Sequence, residues 1–160
     1  MAISGTTKFM DAEKLGGKPS EYYGIANKGV LCYGTAMRTA AYTIPASPYG
    51  QKFDWNQMPV TGDLTNESYQ FKIGTAGLYM MTASIVANVP FQLGIGPAGH
   101  AYALQGAEAA GGYYAASVTY CGVCGAGDLL GVYVYNNNQQ LEVKLDGGNY
   151  ARAAIFKIYG

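Results

Sequence analysis

From Gly29 onward, short runs of aliphatic and aromatic residues alternate with clusters of Gly, Pro, Asn and Asp. Such runs predict strands, because β-branched and aromatic side chains suit a pleated sheet. The clusters between them predict turns, since Gly and Asn tolerate positive φ and Pro ends a ladder. The predicted strands are residues 30–33, 41–44, 68–73, 78–87, 91–95, 113–123, 129–135, 140–145 and 151–159. This pattern, with no long amphipathic helix, predicts an all-β sandwich or barrel.

Two segments differ in how clearly their residues predict structure. In 68–73, Tyr69, Phe71 and Ile73 alternate with polar residues, which predicts a half-buried strand. Residues 98–112 are rich in Ala and Gly and are compatible with either a loop or a short helix.

Residues 1–28 differ in composition from the rest, and we interpret them as an N-terminal arm that precedes a head domain at 29–160. The arm holds four of the eight lysines of the chain. Residues 11–15 predict one helical turn, ended by two glycines, and residues 21–27 predict a second. Isolated helices shorter than about 12–15 residues are marginal in water. The arm is therefore expected to need a surface to pack on.

The composition excludes several classes of protein. The chain has 160 residues, a formal net charge of zero and only 12% charged residues, with 49% hydrophobic and 13% aromatic. Abundant aromatic residues argue against disorder, and zero net charge argues against binding of nucleic acid through its phosphates. No signal peptide and no membrane-spanning apolar run is seen. An odd number of cysteines, three, predicts synthesis in a reducing cytoplasm.

Motifs that suggest chemistry are weak in this chain. Cys121 and Cys124 have CxxC spacing but lie within a predicted strand, where a redox motif would precede a helix. His100 has no local partners of a catalytic triad. The Gly94–Gly99 run lacks the strand-turn-helix context of a dinucleotide site, since Pro97 stands where the helix would begin. We therefore expect no catalytic residue, cofactor or metal. Two alternatives stay open: a pair of carboxylates acting as in glycosidases, and calcium at residues 146–149.

Several segments after residue 50 follow one another in a characteristic order. They are Phe53-Asp-Trp-Asn56, Leu64-Thr-Asn66, Tyr69-Gln-Phe-Lys-Ile73, Gly77-Leu-Tyr79, Ala116-Ser-Val-Thr-Tyr120, Gly127-Asp-Leu-Leu130 and Tyr150-Ala-Arg-Ala-Ala-Ile-Phe-Lys-Ile158. These segments give the chain a resemblance to the globular heads of collagen-tailed complement subunits. It covers about residues 30–160 and implies an antiparallel jelly-roll sandwich of the complement and tumour-necrosis-factor superfamily. That superfamily assembles as homotrimers. The collagen-like stalk of many relatives is absent from this chain.

The arm carries a second resemblance. Residues 12–23, Ala-Glu-Lys-Leu-Gly-Gly-Lys-Pro-Ser-Glu-Tyr-Tyr, are similar to a short motif of tailed-bacteriophage fibre and head-appendage proteins. This resemblance implies a virion protein anchored to capsid or tail proteins through the arm. The residues predicted to make that contact are Phe9, Leu15, Pro19, Tyr22 and Tyr23.

Together these features predict a non-enzymatic structural protein on the virion surface: a homotrimeric capsid decoration protein or head fibre that aids host attachment. The alternative is a tail-fibre or cell-surface adhesin that binds carbohydrate. Tyr79, Tyr133 and Phe156 are predicted to line the trimer interface or the core. Tyr113, Asn137 and Asn149 are the candidate ligand-binding loop residues for a host-surface glycan, because exposed tyrosines stack on sugars.

Overall fold

The computed structural model describes five stretches of the chain and contains no helix within them. The described residues are 14–15, 18–19, 32–97, 100–145 and 151–159. The chain divides into two units, Met1–Val30 and Leu31–Gly160.

In the first unit, strand β1 (Lys14–Leu15) pairs antiparallel with β2 (Lys18–Pro19). The predicted helical turn is therefore wrong at Lys14 and Leu15. The two strands are separated in sequence by Gly16 and Gly17, and Gly-Gly is a pair typical of two-residue hairpin turns as well as of helix ends.

The second unit is built of antiparallel strands. They are β3 (Tyr33–Met37), β4 (Thr43–Ile44), β5 (Gln51–Lys52), β6 (Thr65–Glu67), β7 (Gln70–Lys72), β8 (Gly77–Ala87), β9 (Gln92–Gly96), β10 (Ala103–Gly106), β11 (Glu108–Ala110), β12 (Tyr113–Cys124), β13 (Leu129–Tyr135), β14 (Leu141–Glu142) and β15 (Ala151–Tyr159). Every predicted strand is confirmed at least in part, with boundaries that move by a few residues. The largest shift is at 30–33, where β3 begins only at Tyr33.

Two larger sheets contain most of these strands, and neither closes into a barrel. The five-stranded sheet has the order β11-β12-β8-β15-β3. The other sheet has the order β10-β9-β13-β7-β6, with β5 also paired to β13. In these sheets β3 pairs with β15, β7 with β13, β8 with β12 and β9 with β10. Counted along the chain, these eight strands therefore pair first with last, second with seventh, third with sixth and fourth with fifth.

The core lies between the two sheets because alternate side chains of each strand point inward. In β8, buried Tyr79, Met81, Ala83 and Ile85 alternate with half-buried neighbours, as one-sided burial requires. The largest fully buried side chains are Tyr79, Phe53, Phe71, Ile44, Ile73, Met81, Ile85, Leu93, Ile95, Leu130, Leu141 and Ile155.

Strands β10 and β11 join the two sheets along one side. β10 pairs with β9, whereas β11, one residue further along, pairs with β12. Ala107 lies between them and donates its N–H to the Phe91 carbonyl. Residues 103–106 and 108–110 of the segment 98–112, predicted as a loop or short helix, are therefore strand. Its Ala and Gly residues have low intrinsic strand preference, and pairing with neighbouring strands decides their conformation.

The hairpin of β6 and β7 corrects the predicted strand over 68–73. Ser68 and Tyr69 have φ values of 49° and 65° and form the two-residue turn between the paired residues Glu67 and Gln70. Consecutive positive φ angles match the twist of a type I′ hairpin. The strand therefore begins at Gln70, and Tyr69 is exposed rather than on the buried face predicted for it with Phe71 and Ile73.

The outer edge of β3 is also covered. The Thr35 and Met37 amides donate to the Pro59 and Gln57 carbonyls, and the Thr61 amide donates to the Tyr33 carbonyl. A covered edge cannot add a further strand from another chain. At the opposite side the edge strand is β11, which is only three residues long and so offers little room for strand addition.

A buried side-chain hydrogen bond links β7 and β13 on the outer side of the sheet that contains them. The Gln70 side-chain amide donates to the Tyr133 hydroxyl at 3.0 Å, and both residues are buried. Tyr133→Phe removes the acceptor and leaves the amide unsatisfied. We expect the free energy of unfolding, measured by urea denaturation at fixed protein concentration, to fall by about 1–3 kcal/mol.

The control is the double variant Gln70→Leu/Tyr133→Phe, which replaces both polar groups. It should recover most of the lost stability, because no buried polar group is then unpaired. Equal destabilisation of the single and double variants would show that the hydrogen bond is not the cause.

Candidate functional site: the open face of the five-stranded sheet

The outward side chains of β3, β8, β12 and β15 form a continuous surface, which we call the open face. Directly paired residues share a face of a sheet, so the register defines rows across the four strands. The rows, in order along the strands, are Val123–Leu78–Tyr159, Cys121–Met80–Phe156–Tyr33, Thr119–Thr82–Ala154–Thr35 and Ser117–Ser84–Arg152–Met37.

The first two rows form an exposed apolar surface. Val123 is 80% exposed, Tyr159 76%, Tyr33 46% and Phe156 41%. These side chains lie side by side, not scattered, and contiguous apolar surface of this kind marks interaction sites on soluble proteins.

Apart from Met37 at one end, the next two rows carry small and hydroxyl-bearing side chains around one cation, Arg152. They line a shallow hollow of about 510 Å³ in the middle of the open face. Because the floor is made of short side chains such as Ala154 and Ser84, larger side chains of a neighbouring molecule have room there.

The strand directions define two ends of the head. We call the end where β8 begins and β12 and β15 finish the base end; the apolar rows lie there. The opposite end, where β8 finishes and β12 and β15 begin, is the tip end. Its connecting segments include residues 38–42, 45–50, 88–91, 111–112 and 136–140.

The structure separates the three aromatic residues predicted for the interface or core. Tyr79 points into the core and is fully buried. Tyr133 is buried on the outer side of β13, beneath Gln70. Phe156 lies on the open face, paired across the sheet with Met80 and Tyr33. A role for any of them at a trimer interface stays a prediction.

Two of the candidate ligand-binding residues lie at the tip end. Tyr113 begins β12, and the Lys144 ammonium lies 3.9 Å from the centre of its ring, a cation–π contact. Asn137 is exposed in the turn after β13. Asn149, Phe9, Tyr22 and Tyr23 lie outside the described residues. So do the side chains of Leu15 and Pro19, whose backbones belong to β1 and β2.

The CxxC pair does not form a chelating site. Cys121 and Cys124 are three residues apart in β12, so they point to opposite faces of the sheet. Cys121 is exposed on the open face, whereas Cys124 is buried and all three cysteines are free. Within the described residues, no group of three His, Cys, Asp or Glu side chains could hold a metal ion.

A cluster around Asp63 links the turn before β8 to β3. The Cys32 thiol donates to Asp63 Oδ1 at 2.8 Å, and the Tyr79 hydroxyl donates to the Thr75 carbonyl at 2.8 Å. Hydrogen bonds from Cys32 and Thr75, with the charge of Lys157 nearby, lower the pKa of the Asp63 carboxyl. Burial, followed by the hydrogen bond to Asp63, raises the pKa of the Cys32 thiol, so it stays protonated at neutral pH.

Three other described carboxylates contact neighbouring groups of the head. Asp54 pairs with Arg38 at 3.3 Å, and Glu67 pairs with Lys72 at 2.8 Å. Asp128 accepts the Gly125 amide and closes the turn between β12 and β13. His100 is exposed.

Residue types alone did not identify the open face. The residues of the open face are every second residue of β8 and β12, so their two-residue period is visible in the sequence. That period shows that a strand has two faces, but it does not show which face is exposed. Which face stays uncovered depends on the second sheet.

No protein-family model matches the chain, and comparison with curated proteins finds no match. Among the described residues, no helix has the length and hydropathy needed to cross a membrane.

The Asp63 cluster predicts a pH-dependent contribution to stability. Because the folded-state pKa of Asp63 is lowered, its contribution is present above the unfolded value of about 3.9 and is lost as pH falls through the folded value. Asp63→Asn should lower the free energy of unfolding by roughly 1 kcal/mol at pH 7, a modest amount because solvent partly screens this half-buried carboxylate. The difference from the unmodified chain should shrink below pH 4 in urea denaturation.

Glu67→Gln is the matched control. Its carboxylate pairs with Lys72 on the exposed surface, and such pairs contribute little to stability. A loss at Asp63→Asn that stays constant from pH 7 to pH 2 would contradict the assignment.

Proposed function

We propose that this chain is a homotrimeric structural head of a tailed-bacteriophage particle, with a jelly-roll fold and an N-terminal anchoring arm. The strand pairing supports the fold. Eight of its strands pair first with last, second with seventh, third with sixth and fourth with fifth. This pairing results when one long antiparallel ribbon is rolled into two sheets. A double-sheet jelly roll has that arrangement.

The exposed apolar rows of the open face are the observation that carries the proposed assembly. An isolated head would leave Val123, Phe156 and Tyr159 in water, and contact with other copies removes that surface from solvent. This burial is favourable by about 25 cal/mol per Å² of apolar area. The covered edge of β3 favours contact through the face rather than strand addition. The threefold symmetry comes from the resemblance to complement-type heads.

Low charge supports contact between identical copies. In the four rows of the open face, Arg152 is the charged residue, so copies can approach with little repulsion between like charges. Three heads on one trimer present three copies of any ligand site, and their weak affinities combine through effective concentration.

The location on a capsid, as a decoration protein or head fibre, is supported by the resemblance of the arm to phage appendage proteins. The proposal includes no enzymatic activity, in keeping with the structural roles of Asp54, Glu67 and Asp128.

The assembly is tested with Phe156→Asp, which places a charge in the second apolar row. Light scattering after gel filtration should give about three times the 16.9 kDa chain mass for the unmodified protein. The variant should dissociate toward the single-chain mass, because burying an unpaired carboxylate is costly. Cys121, the exposed cysteine of the same row, should react with a maleimide much faster in the variant.

Leu104→Asp is the matched control, since Leu104 is similarly exposed but belongs to the other sheet. It should leave the mass and the reactivity of Cys121 unchanged. A single-chain mass for the unmodified protein at micromolar concentration, or a trimer unaffected by Phe156→Asp, would contradict assembly through the open face.

The virion location is tested by electron microscopy with gold-labelled antibody on phage particles from cells that carry the gene. We expect label on the particle surface. A Tyr22→Ala/Tyr23→Ala chain should be lost from particles yet keep its trimer mass, because the arm and the open face have separate roles. Particles without label would contradict the location and leave the trimer result standing.

A further inference from the structure

Two segments meet at the tip end and form what we call the tip cluster: residues 45–51 and residues 136–140. The first precedes and enters β5, and the second follows β13, the partner of β5. Tyr49 is 78% exposed within this cluster, one of the most exposed large side chains of the described head.

Hydrogen bonds fix the tip cluster in place. The Pro45 carbonyl accepts from the side-chain amides of Gln51 and Asn136, both at 2.7 Å. The Asn138 amide donates to the Ser47 carbonyl at 3.1 Å and so ties the two segments together. Asn136 is fully buried, which anchors the second segment from beneath.

The turn that carries the exposed amides is itself well defined. Asn137 and Asn138 have φ values of 50° and 60°, and the Gln139 amide donates to the Asn136 carbonyl at 3.0 Å. These features make a type I′ turn, in which Asn is favoured at both central positions.

The backbone that carries Tyr49 is also held by local contacts. The Tyr49 amide donates to Ser47 Oγ at 3.1 Å. The next residue, Gly50, lies against the Tyr135 ring so closely that any side chain there would overlap it. An exposed aromatic ring held on a fixed backbone loses little further conformational entropy when it binds a ligand.

The tip cluster combines an aromatic ring with many amides and has no charge. Its exposed amide side chains are Asn137, Asn138, Gln139 and Gln140, and its two segments contain no Asp, Glu, Lys or Arg. Each amide both donates and accepts hydrogen bonds, as each sugar hydroxyl does. An exposed tyrosine ring provides a flat apolar surface for the C–H face of a sugar.

From this chemistry we infer that the tip cluster is a binding site for neutral oligosaccharide. Tyr49 stacks on one sugar ring, and the amides of the turn bond its hydroxyls. Nucleic acid is disfavoured because phosphate recognition depends on Lys and Arg. The site within one head is independent of the proposed function; only its multivalent display rests on the proposed trimer.

The test uses the full-length chain on an immobilised array of neutral and anionic oligosaccharides that includes bacterial O-antigen repeats. We expect saturable binding to neutral glycans. Tyr49→Ala should weaken it about tenfold or more through loss of the ring contact, whereas Tyr49→Trp should retain it. Tyr102→Ala is the matched control, because Tyr102 is also exposed but lies outside the tip cluster.

Each other outcome overturns the inference. These outcomes are no glycan binding, binding to anionic glycans alone, or binding unaffected by Tyr49→Ala. The Phe156→Asp variant separates this inference from the proposed function. It should keep the affinity of a single head for glycan in solution, and it should lose the extra affinity that three heads on one trimer have for the array. A trimer that binds no glycan would contradict the tip site but not the assembly, whereas a monomer that binds glycan would contradict the assembly but not the tip site.

Discussion

The pairing of β15, the last strand, with both β8 and β3 is the contact on which the rest of the head depends. It brings residues 33–37, 77–87 and 151–159 into one sheet, although they are far apart in the chain. The register of this pairing directs Tyr79, Ile85 and Ile155 into the core. The same register sets Met80 beside Phe156 on the opposite side. A shift by one residue would exchange the two faces, so the core and the open face are specified together.

The two ends of the head have different surface chemistry, because the outward-facing side chains change in type along each strand. At the base end, the outward residues of β8, β12 and β15 are apolar and mostly large. Toward the tip they become Thr, Ser and Ala around one cation, Arg152, and the uncharged tip cluster lies at the same end of the head. Contacts between identical copies and contacts with a ligand can therefore occupy separate regions of one small domain without competing.

Much of the fold could be predicted from local residue patterns, and the errors have identifiable causes. The long strands β8, β12, β13 and β15 were predictable because aliphatic and aromatic residues extend over many positions. The turn at Ser68 and Tyr69 was missed because their alternation with Phe71 imitates a strand, and the two positive φ angles are imposed by pairing across the hairpin. The strands in residues 98–112 were missed because Ala and Gly take their conformation from neighbouring strands. The tip cluster was predicted in part, through Asn137, but Tyr49 comes from a distant segment that β5 brings to the same end.

By itself, the sequence determined that this protein is all-β, where its longest strands lie and where most of its turns fall. These properties depend on side-chain shape and backbone preference within a few residues. Only the tertiary structure decided which side of each strand is covered and which distant strands become neighbours. It also decided that apolar residues from four strands lie together at one end of the open face. Those outcomes depend on pairing between residues up to more than a hundred positions apart, such as Tyr33 with Phe156, which local preference does not encode.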